Sequence, residues 1–348
     1  MGRKTAYRLS KIPGIVVTTL LLAAAVASWR SSFIPPESGN FWASVALLMP
    51  VILALNIAAL VWWLLRRRWG LALMPVAALV LNLGYISAMI QLPKFNSKGP
   101  HDLRIATLNA YGFSRLGTTS VTAHGIASVM EREQVDILCL QEFPENPKFP
   151  TDSIARLFAA RMPYCVAQSG QAILSRFPIL THRYVRFPES GNDYLEADLR
   201  IGHDTVRVFS VHLQTSGISS LRQRFQQDHN SDAPVERVIV ELERNSRIRA
   251  QQVREIRTVI DSTHYPVILA GDFNDTPSSY TYRQLKGHMT DGFCTVGSGF
   301  GDTFRYLGGV LRIDYIFYDD NFIGVDYDIL EDDLSDHKAV VAGLEFRR

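Results

Sequence analysis

Several short apolar runs in the second part of this 348-residue chain are closed by polar side chains of two chemical kinds. The first kind is a carboxylate or carboxamide, and its members are Asn109, Glu142, Asp272, Asn274 and Asp336. Their oxygens are hard ligands that suit Mg²⁺, Mn²⁺ or Ca²⁺ better than zinc. The second kind is an imidazole, His212 or His337, which can hold a phosphate oxygen and transfer protons near neutral pH. The combination is typical of metal-assisted chemistry on a phosphate ester.

Each of these residues taken alone has a simpler interpretation. Asparagine and aspartate are common in turns, and Asp314, inside the run RIDYIF, is a suitable ion-pair partner for Arg312. Glu142 alone is often a solvated acid, and His212 a histidine at the edge of a core. The chemical interpretation is favoured because seven segments end in one set of residue types.

Short runs rich in Val, Ile, Leu, Phe and Tyr must position these residues, and they are of strand length. They cover residues 104–108, 136–140, 172–174, 206–211, 267–270, 315–317 and 339–344. Helices are predicted over 121–134 and 234–262, where the apolar residues recur at helical spacing. Strands outnumber helices and do not alternate with them, which disfavours a doubly wound parallel sheet and favours a mixed α+β sandwich.

The first hundred residues have a different composition. Residues 12–29, 41–65 and about 70–90 contain no charged side chain. As helices these segments would be about 27, 37 and 31 Å long, against a hydrocarbon core of about 30 Å. We therefore predict a membrane region over 1–91 with three transmembrane helices, then a linker over 92–101 and a catalytic domain over 102–348.

The orientation follows from the basic residues, which are enriched on the cytoplasmic side of membrane proteins. They form two clusters, Arg3, Lys4, Arg8 and Lys11 before the first span and Arg66, Arg67 and Arg68 between the second and third. This predicts a multi-pass protein of the cell inner membrane with an extracytoplasmic catalytic domain. The basic start, the short apolar run and the small residues of 23–28 also resemble a secretory signal peptide. Both alternatives place residues 101–348 on the same side.

Charge and cysteine content restrict the function further. Residues 1–100 hold ten bases and one acid, a net charge of +9, whereas residues 101–348 have a net charge of −7. An acidic domain disfavours a long nucleic acid as substrate, because such enzymes usually have basic surfaces. No GxGxxG or phosphate-loop motif is present, and the cysteines lack zinc spacing. Whether Cys165 and Cys294 form a disulfide is left open.

The segments LNAYGF, LQEF, SVHL, GDFND, RIDYIF and SDHKAV, in this order, closely resemble the endonuclease/exonuclease/phosphatase superfamily. The resemblance covers residues 102–346. This group includes pancreatic-type deoxyribonucleases, abasic-site endonucleases, neutral sphingomyelinases and inositol polyphosphate 5-phosphatases. The chain resembles a membrane-anchored bacterial-type member. The resemblance implies an α+β fold, a four-layer α/β/β/α sandwich of two mostly antiparallel sheets, here preceded by an α-helical transmembrane region.

The resemblance also implies roles for individual residues. The implied metal ligands are Glu142, Asn109 and Asp336, holding Mg²⁺ or, in its place, Mn²⁺ or Ca²⁺. The implied catalytic residues are His212, Asp272, Asn274, Asp314 and His337. The implied contacts to the substrate phosphate come from Asn109, His212, Asn274 and His337. The general base is either Asp272 or the Asp314–His337 pair.

These observations predict a divalent-metal-dependent hydrolase of phosphate esters, foremost a phosphodiesterase or endonuclease. A phospholipase or sphingomyelinase-like lipid phosphodiesterase is the alternative, so the substrate is a nucleic acid or a phospholipid headgroup. A more distant alternative is an inactive, membrane-anchored binding module, which predicts the loss of a residue such as Glu142 or His337, and none is lost. No protein partner is predicted.

Overall fold

The computed structural model describes residues 12–39, 41–93, 99–217, 235–306 and 308–348. The chain forms two compact units. Unit 1 comprises the residues up to Ser87 together with 217–250 and 278–283. Unit 2 comprises residues 88–216, 251–277 and 284–348. Part of the predicted linker, residues 94–98, lies outside the described residues.

Unit 1 is built from apolar helices. In chain order they are α1 (Ile12–Ser31), α2 (Trp42–Leu47), α3 (Met49–Leu65), α4 (Trp69–Leu81) and α5 (Leu83–Met89), the last of which continues into unit 2. Small or branched side chains, Ala25, Ile52 and Ala78, pack together between α1, α3 and α4. Within the described part of the chain, α1 alone is long and apolar enough to cross a membrane as one helix, and α4 with α5 qualifies only if the bent pair counts as one span.

The two segments predicted as spans over 41–65 and about 70–90 are each divided into two helices. The first segment breaks at Leu48, because Pro50 has no N–H with which to bond the carbonyl of Ala46. The second bends by 60° at Asn82, whose Nδ2 donates to the carbonyl of Ala78 and replaces a backbone bond there. Uniformly apolar sequence hides such breaks, because it has no periodicity to interrupt.

Unit 2 contains most of the strands. In chain order these are β1 (Ile90–Gln91), β2 (Leu103–Asn109), β3 (Ile137–Gln141), β4 (Tyr164–Gln168), β5 (Gln171–Ser175), β6 (Ile179–Arg186), β7 (Asp193–Ile201), β8 (Asp204–His212), β9 (Val267–Asp272), β10 (Thr290–Asp291), β11 (Gly299–Phe300), β12 (Asp314–Tyr318), β13 (Phe322–Ile329) and β14 (Val340–Phe346). The further helices are α6 (Thr119–Arg132), α7 (Thr151–Phe158), α8 (Val235–Ser262), α9 (Tyr280–Lys286) and α10 (Gly292–Val296). All seven predicted strands and both predicted helices are present.

The strands form two six-stranded sheets and one short pair. Sheet 1 has the order β13-β14-β2-β3-β5-β4, and sheet 2 has the order β10-β12-β9-β8-β7-β6. Neighbours are antiparallel except for β2–β3 and β8–β9, which are parallel. The prediction of two mostly antiparallel sheets is therefore confirmed.

Alternation of side chains along the strands builds the layers. Inward positions of both sheets, such as Ile105, Val208 and Ile268, form one apolar layer between them. The opposite face of sheet 1 packs against α6 and α7, where Ile126 and Ile154 are buried. These layers agree with the predicted α/β/β/α sandwich.

The residues at the end of α5 and directly after it are paired within unit 2. Ile90 pairs with Phe300 in the small β1–β11 sheet. The carbonyl of Ala88 accepts a hydrogen bond of 3.0 Å from the guanidinium of Arg312. Arg312 is fully buried, and it also forms an ion pair of 2.6 Å with Asp291. All three cysteines are free thiols, so Cys165 and Cys294 do not pair.

Candidate active site

The sheet topology brings the strand ends that carry the predicted residues to one edge of unit 2. The parallel pairs β2–β3 and β8–β9 end there, with Asn109, His212 and Asp272 as the last residues of their strands and Glu142 directly after β3. The antiparallel neighbour β12 begins at the same edge with Asp314, which pairs with Asp272. Residues far apart in the sequence therefore meet because two parallel strand pairs stop together.

The side-chain amide of Asn109 joins the two sheets. Its Nδ2 donates to Oε1 of Glu142 and to Oδ2 of Asp272, both at 3.0 Å. Its Oδ1 accepts the backbone N–H of Tyr111 at 3.2 Å, which fixes the orientation of the amide. Asn109 is 2% exposed, whereas the Glu142 side chain is 41% exposed. One carboxylate therefore faces solvent and the other lies in the interior.

His337 lies between two buried carboxylates. Its Nδ1 is 3.0 and 3.1 Å from the two oxygens of Asp314, and its Nε2 is 3.8 Å from Oδ2 of Asp272. One ligand atom from each of the three residues lies within 4.8 Å of the others. The ring of Phe304 packs against the imidazole with 5.0 Å between centroids. The hydrogen bond to Asp314 thus directs Nε2 towards Asp272.

Burial and neighbouring charges set the ionisation of these groups. Burial by itself would lower the pKa of His337, but the charges of Asp314 and Asp272 outweigh it and raise that pKa to about 10. Burial raises the pKa of Asp272, and His337 only partly offsets this effect. Burial, together with the charge of Glu142, also raises the pKa of Asp336. The site therefore holds a protonated imidazole and more negative charge than that imidazole balances.

A pH dependence of stability follows for the metal-free protein. The pKa of His337 rises from 6.5 to about 10 on folding, so its contribution is complete below pH 6.5 and is lost as pH rises towards 10. We expect the loss between pH 6.5 and 10 to be larger in the wild type than in His337→Gln by at least about 1 kcal/mol. Denaturant unfolding in EDTA at both pH values measures the difference. Equal losses in the two proteins would contradict the assignment.

His212 and Asn274 complete the polar wall. The Nε2 of His212 is 3.7 Å from Oδ2 of Asp272 and 3.9 Å from Oε1 of Glu142. Asn274 donates its backbone N–H to Oδ1 of Asp272 at 2.8 Å, and its Nδ2 donates to the carbonyl of Leu213 at 2.9 Å. Glu142 and Asn274 both have positive φ, 50° and 51°. Such left-handed conformations of non-glycine residues are costly and recur at functional sites.

Two positioning residues were missed by the sequence analysis. Ser335 donates from Oγ to the carbonyl of Asn109 at 2.6 Å and accepts the backbone N–H of His337 at 3.2 Å. Thr303 accepts the backbone N–H groups of Ile313 and Asp314 on its Oγ1, at 3.0 and 3.1 Å. Ser335 is the first residue of the SDH segment, so the sequence could have identified it. No sequence feature singles out Thr303. The structure brings all eight predicted residues to this edge.

The solvent-facing side of the site fits a hard cation. Glu142 and Asp336 offer carboxylate oxygens, whereas Asn109 directs its Nδ2 towards Glu142 and its Oδ1 accepts the backbone N–H of Tyr111. Burial and the charge of Glu142 both raise the pKa of Asp336, and a cation would offset the part due to charge. The tighter cluster of Asp272, Asp314 and His337 fits less well. A protonated imidazole has no free lone pair for a metal.

Sequence comparison identifies the family. The sequence model described as the Endonuclease/Exonuclease/phosphatase family matches residues 106–337. The chain belongs to this family. A second model, described only as a domain of unknown function, matches residues 10–89. No curated protein matches the chain significantly.

Solved structures share the fold of the endonuclease/exonuclease/phosphatase family at low identity. A family protein from Beutenbergia cavernae DSM 12333 is 23% identical with a TM-score of 0.52, over 71% of this chain and 72% of that one. Beta toxin from Staphylococcus aureus is 16% identical with a TM-score of 0.51, over 69% and 99%. A mannosyl-6-phosphatase from Bacteroides thetaiotaomicron VPI-5482 is 18% identical with a TM-score of 0.50, over 70% and 100%. These likenesses show the fold alone.

Family membership establishes the class of reaction. The endonuclease/exonuclease/phosphatase family hydrolyses phosphoester bonds, so this protein is a phosphoric ester hydrolase. The family generally uses a divalent metal, and the site described above contains carboxylate ligands suited to one.

Proposed function

We propose that this protein is a divalent-cation-dependent phosphodiesterase, with Mg²⁺ as the physiological ion. The observation that carries the proposal is the Asn109 amide, which bonds Glu142 and Asp272 at 3.0 Å each. It ties the solvent-facing Glu142 to the buried Asp272, which lies 3.8 Å from Nε2 of His337. Glu142 and Asp336 would hold the ion, because a hard cation prefers carboxylate oxygens, and Asn109 would orient Glu142 through its Nδ2.

In the proposed reaction each residue of the site has a separate role. A bound cation supplies charge stabilisation on the phosphate oxygens. Asp272 accepts the proton of the attacking water, because its pKa is raised and Asn274 fixes its Oδ1. His337 is already protonated, so it donates from Nε2 to a phosphate oxygen, and Asp314 holds the ring. This favours Asp272 over the Asp314–His337 pair as the base.

His212 and Asn274 complete the site in this scheme. The Nε2 of His212 lies under 4 Å from both Glu142 and Asp272, so it can donate to a phosphate oxygen that is held between the two carboxylates. The amide of Asn274 is fixed by the carbonyl of Leu213 at 2.9 Å. We assign His212 to substrate binding and to stabilising charge on the leaving oxygen. Asn274 also donates from Nδ2 to Oδ2 of Asp272 at 3.2 Å, so it positions that carboxylate.

The substrate proposal is a phosphodiester, with a lipid phosphodiester as the second candidate. Net charge of −7 over residues 101–348 disfavours tight binding of long polyanions. The apolar helix α1 favours a substrate at the membrane. The mannosyl-6-phosphatase named among the structural neighbours makes a phosphate monoester a necessary comparison.

The test uses the purified full-length chain in detergent with Mg²⁺. Bis(4-nitrophenyl) phosphate, plasmid DNA, RNA, sphingomyelin and 4-nitrophenyl phosphate serve as substrates, with and without EDTA. We expect diester hydrolysis that EDTA abolishes and that Glu142→Gln lowers by about 10³-fold, since the variant removes a charged ligand of the cation. Calorimetric titration with Mg²⁺ is expected to show weaker binding to Glu142→Gln. Full turnover in EDTA would contradict the proposal, and preferred hydrolysis of the monoester would reassign the enzyme as a phosphatase.

We also propose that α1 is a retained anchor rather than a cleaved signal. Three polar side chains of the other apolar helices hold it. Trp63 donates to Oγ1 of Thr18 at 2.8 Å, and Asn56 and Asn82 donate to carbonyls of α1 at 3.3 Å. Such bonds are typical of helices that associate in a membrane. The basic clusters favour an extracytoplasmic catalytic domain in a multi-pass protein.

We expect a chain tagged at its N-terminus to keep the tag in the membrane fraction at full mass. Cleavage of α1 would leave the amides of Asn56 and Asn82 without these acceptors in an apolar bundle. Immunoblotting and intact mass measure the outcome, with a secreted protein from the same cells as the control for signal processing. A mature chain that starts near residue 29 would contradict the proposal.

A further inference from the structure

A layer of polar side chains lies between the two sheets, directly beneath the active site. Along β8 the inward positions Val206 and Val208 belong to the apolar layer, and the next inward residue is Ser210. On other strands too, the inward residues change from apolar to polar at the end nearest the active site. The polar residues are Thr107, Gln141, Gln171, Asp193 and Ser210, and each is at most 5% exposed.

Ser210 forms hydrogen bonds from sheet 2 to sheet 1. Its hydroxyl donates to Oε1 of Gln171 at 2.7 Å and accepts Nε2 of Gln141 at 2.9 Å. Both glutamines are on sheet 1, where they pair with each other in register on β3 and β5. One hydroxyl therefore joins three strands from two sheets.

The other residues of the polar layer, Thr107 and Asp193, are hydrogen-bonded to the two glutamines. Oγ1 of Thr107 lies 3.2 Å from Nε2 of Gln141. Gln171 donates from Nε2 to Oδ1 of Asp193 at 2.9 Å, and the hydroxyl of Tyr184 donates to the other oxygen of Asp193 at 2.7 Å. A buried polar network of this kind favours a single arrangement of the strands that carry it, provided that its donors and acceptors have partners.

The active site needs a fixed arrangement of the two sheets, because its residues are divided between them. Asn109 and Glu142 follow strands of sheet 1, whereas His212, Asp272 and Asp314 belong to sheet 2. The apolar layer between the sheets resists separation but is not directional. Hydrogen bonds are directional, and catalytic groups need positions held to within about 0.5 Å.

We propose that Ser210, together with Gln141 and Gln171, is a positioning element that fixes the register of the two sheets beneath the catalytic residues. None of the three contacts the substrate in this proposal. They lie next to catalytic positions instead, since Gln141 precedes Glu142 and Ser210 is two residues before His212. The kinetic part of the test rests on the proposed phosphodiesterase function, and the spectroscopic part does not.

The experiment compares Ser210→Ala with Val208→Ala in the full-length chain. Val208 is the matched control, because it is fully buried on the same strand and face and lies one inward position farther from the site. Measurements are Tm, and kcat and KM for bis(4-nitrophenyl) phosphate in Mg²⁺. We expect Ser210→Ala to lower kcat by 10- to 100-fold with KM within about threefold. Val208→Ala is expected to lower Tm at least as much but to leave kcat within twofold.

A double variant tests whether the effect passes through the network. Ser210→Ala and Gln171→Leu remove two ends of one hydrogen bond, so their effects on kcat are expected to overlap in the double variant rather than multiply. An equal loss of kcat in Val208→Ala, an unchanged kcat in Ser210→Ala, or fully multiplicative effects would overturn the proposal.

A second readout does not depend on turnover. The proton on Nδ1 of His337, hydrogen-bonded to Asp314, gives a far-downfield ¹H NMR signal, and this bond joins a segment next to sheet 1 to a strand of sheet 2. We expect the signal in the wild type and in Val208→Ala, and its broadening by faster solvent exchange in Ser210→Ala. An unaltered signal in Ser210→Ala overturns the positioning proposal. A wild type that hydrolyses no diester overturns the proposed function instead.

Discussion

His337→Ala is expected to lower kcat for bis(4-nitrophenyl) phosphate by about 10³-fold or more, with the fold intact. The variant removes the one cation of the described site that lies between Asp272 and Asp314, and with it the donor that faces a phosphate oxygen. Steady-state kinetics with saturating Mg²⁺ measure the loss, and far-UV circular dichroism checks the fold.

Asp314→Asn tests how far the Asp314 carboxylate orients the imidazole of His337. Because the carboxylate accepts from Nδ1, an amide there favours the wrong tautomer, and we expect a loss of about 10²- to 10³-fold. The double variant is expected to be no worse than His337→Ala, since the two residues act as a unit. His203→Ala is the control, because that exposed histidine lies in the turn before β8. Turnover of His337→Ala within tenfold of wild type would contradict the assigned role.

Gly271→Ala is expected to prevent folding or to reduce stability by more than about 3 kcal/mol. Gly271 has a φ of 148°, and an added Cβ would lie 2.0 Å from the carbonyl oxygen of Val211. That contact is with backbone of the neighbouring strand β8, so neither side can move without separating β8 from β9. Asp272 follows directly, so loss of this pairing also removes the site. Denaturant unfolding and yield of folded protein measure the effect.

Gly170→Ala provides the matched control for backbone strain. Its φ of 89° is also positive, but nothing lies within 4 Å of an added Cβ. The expected cost is therefore that of conformation alone, about 1 to 2 kcal/mol. Equal stability losses in the two variants would show that close strand approach at Gly271 is not the cause.

The fold of unit 2 was predictable because its central strands are buried on both faces. Every residue of β2 and of β9 is buried, so the sequence there is mostly apolar with a polar end. Four of the longer strands were missed. β4 and β6 are partly or largely exposed, and acidic residues interrupt the apolar sequence of β7 and β13. The catalytic positions were predictable since the polar residues stand where those apolar runs stop.

The supporting contacts of the site could not be predicted, because they depend on tertiary geometry. Thr303 is one threonine among many until the fold places it under the backbone of Asp314. The break at Leu48 was hidden for a related reason, since the sequence around it is uniformly apolar and only Pro50 marks it. Composition predicts which segments are buried, but not which buried polar atoms meet.

The pairing of the residues at the end of α5 has a consequence for any fragment prepared without the first hundred residues. A fragment that begins near residue 100 lacks Ile90 and Gln91, so Gly299 and Phe300 lose their pairing partners. It also lacks the carbonyl of Ala88, an acceptor for the guanidinium of Arg312, which has no exposed surface. Only Ile313 separates Arg312 from Asp314 in sequence, so loosening there reaches the support of the imidazole. A fragment that begins near residue 100 is therefore expected to be less active than the full-length chain.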